Sequence, residues 1–111
     1  MLYNLSALGS ISNNDPVFIK TLINLFCESI PVDVKVLNQS FADKDWKQLA
    51  FVAHKLKSTI DTLSVESLKQ TIRELEVADL KDNLSDAVIH SHIEQVTKVL
   101  NEVILELKAH S

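Results

Sequence analysis

The sequence predicts an all-α protein, an up-down antiparallel four-helix bundle, and three observations lead there. The 111 residues include one Gly and two Pro, too little turn material for a sheet protein, which needs a tight turn at nearly every strand end. Apolar residues recur three or four positions apart over long stretches, the period of a helix with one buried face. The breaks between these stretches are short and polar, so successive helices must fold back and bury their stripes against one another. A chain of this length supports one core, and residues 1–111 read as a single domain.

The first helix is expected to open at Asp15-Pro16, where Asp can cap free backbone N–H groups and Pro supplies a preset φ. Its apolar positions run Phe18, Leu22, Leu25, Phe26, Ile30, Val34, Leu37 and Phe41, with a bend expected near Cys27 to Pro31 because Pro31 removes one helical hydrogen bond. Asp43-Lys44-Asp45 breaks the pattern, and either Asp can cap the second helix, whose stripe is Trp46, Leu49, Val52, Ala53, Leu56, Ile60 and Leu63. Ser64 is the expected cap of a third helix with Val65, Leu68, Ile72 and Leu75 inward. A polar linker, Asp79 to Ser85, leads to the last and most regular helix: Ile89, Ile93, Val96, Leu100, Val103 and Leu107. That spacing suits antiparallel helices crossing at a shallow angle. The segment Leu2 to Leu8 is apolar enough to add a short extra N-terminal helix.

Composition excludes several classes of function. A net charge of −4 argues against general binding to nucleic acid or anionic membrane, both of which rely on a basic surface. No apolar run approaches the roughly 20 residues that span a bilayer. The start MLYNLSALGSISNN lacks the basic residues and apolar core of a signal peptide, so a cytoplasmic location is expected. The single Cys27 has no internal disulfide partner and reads as an inert buried thiol in an apolar stretch. No glycine-rich phosphate loop is present, which argues against a nucleotide site. His90 and His92, two apart on a helix, point to different sides, so no metal site is expected.

His54 stands apart from these exclusions. At about 100° per residue it lies some 130° from the core direction of the second helix, on an exposed or boundary face. Ala50, Lys57, Lys47, Phe51, Ser58 and Asp61 are placed around it on that face. An imidazole there can act as a nucleophile, and Lys57, one turn away, can set an ammonium beside an anion carried by the ring. From Trp46 to Ile60 there are three lysines, Lys47, Lys55 and Lys57, and no carboxylate, a basic segment in an acidic protein.

The segment AHKLKSTIDTLSVESLKQTIRELE resembles the signature of histidine-containing phosphotransfer (HPt) domains. Their pattern is a small residue, His, any residue, Leu-Lys-Gly, a further Gly near the helix end, then Leu and a Leu-Glu pair. Here these positions are Ala53, His54, Leu56, Lys57, Ser58, Ser64, Leu68 and Leu75-Glu76; Ser58 and Ser64 stand where glycines are common. The resemblance spans roughly residues 15 to 107 and implies a phosphoryl shuttle in a multistep phosphorelay. His54 would accept the group from a receiver-domain aspartate through Nε2 and pass it to a second receiver, with Lys57 stabilising the transferred charge. The module would hold no cofactor of its own, Mg²⁺ coming from the receiver. Lys47, Ala50, Phe51, Lys55, Ser58 and Asp61 would face response-regulator receivers and a hybrid sensor histidine kinase, and the domain is expected to be monomeric. The alternative is a bundle that docks or inhibits a signalling partner through the same face without accepting phosphate.

Overall fold

The computed structural model describes residues 15–77 and 85–110. The expected helix over Leu2 to Leu8 and most of the Asp79 to Ser85 linker lie outside these residues. Within them are four α-helices: α1 (Pro16–Ala42), α2 (Trp46–Leu63), α3 (Lys69–Glu76) and α4 (Asp86–His110), with a 3₁₀ turn at Glu66–Leu68 leading into α3. α2 packs against α1 and α3, and α4 packs against both α1 and α3, closing a ring 44 Å long and about 20 Å across. This is the expected helical bundle.

The caps explain where the helices begin. Asp15 Oδ1 accepts from the Val17 N–H at 3.0 Å, with Pro16 as the first helical residue. Of the two aspartates before α2, Asp45 is the cap, accepting from the Gln48 N–H at 3.2 Å. Ser85 Oγ accepts from the Val88 N–H at the start of α4. The assigned helix continues on both sides of Pro31.

Helix ends show a device that the composition makes unusual. Lys44 and Ser64 both have left-handed backbone, with φ of 54° and 55°. At each, the paired bonds of a Schellman closure are present: Lys44 N–H to the Phe41 carbonyl with Asp45 N–H to Ser40, and Ser64 N–H to Asp61 with Val65 N–H to Ile60. Ser64 therefore closes α2 and does not cap the next helix as expected, since its side chain makes no capping bond there. The turn it makes carries Val65 to a fully buried position.

The core confirms the expected faces of α2, α3 and α4. Leu49, Val52, Ala53, Leu56, Ile60 and Leu63 meet Val65, Leu68, Ile72 and Leu75, and the whole expected stripe of α4 is buried with them, joined by Ile104. Trp46 is half-buried at its edge. In α1 the stripe needs correction. Ile23 is in the core, Leu22 and Phe26 only line it, and Phe18 and Leu25 are exposed. Apolar residues occur almost all round the first turns of α1, so periodicity alone could not choose among them. Truncating a central residue such as Leu56 or Leu75 to Ala is worth about 2–5 kcal/mol of stability.

Candidate functional site

The site is built on the facing surfaces of α2 and α3. Burial of Ala53 and Leu56 fixes the roll of α2, so the residue between Ala53 and Lys55 must point outward. His54 does: its side chain is 76% exposed. Burial of Leu75 likewise fixes the end of α3 and leaves the next residue, Glu76, at the α2–α3 seam, half-buried with its side chain 16% exposed.

Across that seam Glu76 Oε1 lies 2.7 Å from His54 Nδ1. The same carboxylate reaches Lys57, Oε2 to Nζ at 3.6 Å. A carboxylate accepts, so Nδ1 carries the proton and donates it to Glu76, which leaves the lone pair on Nε2. The ring is thereby held with one nitrogen committed to the protein and the other turned to solvent. Glu76 thus holds both His54 and Lys57, whose side chain is one third exposed. An imidazole with one nitrogen free, a carboxylate that orients it and a cation are thus assembled from two helices.

The residues expected around His54 divide into three groups. Lys47, Phe51, Ser58 and Asp61 are exposed, and Phe51 retains 66% of its surface. Lys55 is exposed along its stem, but its ammonium donates to Asp33 of α1 at 3.3 Å, so it ties α2 to α1. Ala50 is buried, contrary to its expected place on the docking face, because the bundle wraps further round α2 than the stripe of larger residues suggests. A groove of about 640 Å³ runs between α1 and α2 beside this face, with Leu25, Val32, Lys55 and Ser58 on its walls.

Glu76 is the functional residue that the reading by periodicity missed. Its partners are 22 and 19 positions away in the chain, and helix periodicity says nothing about pairing between helices. The available signal was the Leu-Glu pair: an inward Leu at the end of α3 puts the following Glu on the seam.

The other candidates are engaged elsewhere. His92 Nε2 bonds to Glu74 Oε2 across the α3–α4 seam, and His90 pairs with Glu94 at 2.9 Å while stacking on Phe41. Cys27, expected to be buried, is half-buried, and that burial pushes its thiol up against a smaller opposing effect of the Lys108 charge. Among the described residues no group of three or more His, Cys, Asp or Glu side chains is arranged to hold a metal ion, and no helix is long and apolar enough to cross a membrane.

Comparison with known proteins gives the chain a family. Searches of curated proteins and of solved structures found no match. The family model described as "Hpt domain" matches residues 21–109, which include all of α2 and α3 and the histidine between them and solvent. Hpt domains are phosphocarrier modules, not enzymes with a catalytic site of their own, and they work with receiver domains and kinases. With most of its length matched, this chain belongs to the Hpt domain family, the phosphotransfer modules of two-component signalling.

Proposed function

We propose that His54 is the phosphoryl acceptor, taking the group from the phospho-aspartate of one receiver domain and passing it to the aspartate of another. The observation that carries this reading is the Nδ1 bond to Glu76, which leaves Nε2 as the free, solvent-facing nitrogen. The Nε2 lone pair attacks phosphorus in line. As the N–P bond forms, the bond from phosphorus to the aspartyl oxygen breaks, and the receiver's carboxylate leaves with that electron pair. Nδ1 keeps its proton, so the phosphorylated ring carries positive charge, and the Glu76 carboxylate offsets it. Lys57 offsets the charge of the phosphoryl oxygens. Transfer to the second receiver is the same sequence reversed.

The rest of the demand is positional, because phosphoryl transfer depends mostly on alignment and charge neutralisation. The receiver supplies Mg²⁺ in its own acidic pocket, and Lys47 and Lys57 give that pocket a complementary approach. Phe51 offers exposed apolar area next to the reacting nitrogen. The test is incubation with phosphorylated receivers, following acid-labile phosphate. Label on the wild-type chain and none on His54→Gln supports the reading. Absence of label from every receiver tried, with receiver binding retained, favours the alternative of a docking or inhibitory bundle.

A further inference from the structure

We propose that the Ser58 hydroxyl is a second donor to the phosphoryl group, gripping its oxygens on the side of Nε2 opposite Lys57. The inference rests on His54 being the acceptor, as proposed above, and concerns how the group is held once it arrives.

The placement follows from the helix and from Glu76. Around the axis of α2, Lys57 is offset from His54 by about 60° in one sense and Ser58 by about 40° in the other. Glu76 contacts both His54 and Lys57, so α3 covers the Lys57 side of the ring. Ser58 is on the open side, exposed, on the wall of the α1–α2 groove. It is one turn, roughly 6 Å, further along α2. Helical side chains lean towards the N-terminus, so Ser58 and His54 lean the same way and Ser58 Cβ lies over the turn that carries His54.

The hydroxyl is also uncommitted. Thr21, Ser40 and Thr62 each donate to the carbonyl four residues earlier, at 2.9, 2.7 and 2.8 Å. Ser58 Oγ makes no such bond to His54 and none to any other described residue, while its own carbonyl takes the Thr62 hydroxyl. The cations near Nε2 do not fill this side. Lys55 is held by Asp33, and Lys57 is drawn towards Glu76. A trigonal group of oxygens on Nε2 therefore has Lys57 on one flank and, on the other, the uncommitted Ser58 O–H one turn along α2, with the apolar Phe51 one turn back and Lys47 two turns back.

The direction of the effect follows from the loose transition state of phosphoryl transfer. As the N–P bond lengthens its electron pair goes to nitrogen and the group passes from a bound dianion towards a metaphosphate-like monoanion, so its oxygens carry less charge and a donor to them stabilises the bound group more than the departing one. Ser58 keeps its proton throughout and forms no covalent bond. Its contribution is to hold the group against water.

The experiment needs no partner. The intact chain is phosphorylated with phosphoramidate, freed of reagent, and the decay of phosphohistidine is followed by ³¹P NMR. Loss of one charge-assisted bond predicts a lifetime about threefold to tenfold shorter in Ser58→Ala and Ser58→Gly, with Ser58→Thr close to wild type because it retains the hydroxyl. Lifetimes in Ser58→Ala and Ser58→Gly that equal or exceed the wild-type value overturn the inference, and a longer one identifies the side chain as an obstruction. A wild-type chain that takes no acid-labile phosphate from phosphoramidate or from phosphorylated receivers overturns the acceptor role of His54, and this inference with it.

Discussion

His54 Nδ1 and Glu76 Oε1 lie 2.7 Å apart, joining the middle of α2 to the last residue of α3. The contact decides which imidazole nitrogen is free, and so links a tertiary seam to a chemical property. Replacing Glu76 by Gln keeps an oxygen for Nδ1–H but removes the charge opposite the phosphorylated ring. Replacing it by Ala removes both. We expect labelling by a phosphorylated receiver to slow about tenfold in Glu76→Gln and more in Glu76→Ala, with receiver affinity unchanged. Equal rates in all three proteins would show that the ring needs no orienting partner.

His54→Gln should abolish acid-labile labelling while leaving the thermal midpoint nearly unchanged, since an exposed side chain contributes within about 0.5 kcal/mol. Label that persists, or appears on His90, His92 or His110, contradicts the assignment of the acceptor.

Lys57→Ala should slow transfer and shorten the life of the phosphohistidine without unfolding the bundle, because its side chain is one third exposed and its pairing with Glu76 adds little to stability. Stopped-flow transfer kinetics test this, and unchanged rates reduce Lys57 to a surface charge.

Phe51→Ala separates docking from packing. With 66% of its surface exposed among the described residues, the ring should cost about 1–2 kcal/mol of receiver affinity when removed, and little folding stability. A loss of about 3 kcal/mol of stability instead, with normal binding, marks Phe51 as buried beneath a segment such as Leu2 to Leu8.

Ser64→Gly should stabilise the fold by about 1 kcal/mol, since a left-handed φ of 55° strains any residue with a Cβ. Lys44→Gly should behave similarly. Urea melts of the two variants and their combination are the check, and destabilisation in both would mean that the Cβ strain is outweighed.

The sequence was most legible where one face is clearly apolar. The stripes of α2 and α4 were right nearly residue by residue, and the same wheel put His54 and Phe51 outside. It failed at Phe18, Leu25 and Ile23, where too many residues are apolar for a face to be chosen. It failed at Ala50, whose small side chain gives no sign of which way it turns. Ser64 was misjudged because serine favours an N-terminal cap locally, whereas the need to bury Val65 decides the turn. The Leu75-Glu76 pair could place Glu76 on the seam, but its pairing with His54 exists only after α3 has folded back along α2.

The helices that meet at His54 differ in length: α2 has 18 residues and α3 only eight, or roughly 27 Å against 12 Å. Because α3 runs back from Ser64 and stops at Glu76, it covers α2 only as far as His54. Among the described residues the histidine thus stands on a ledge, roofed on one flank by α3 and exposed on the other. Under the acceptor role proposed for His54, its access follows from the shortness of α3, and one more helical turn there would shade the ring from a receiver.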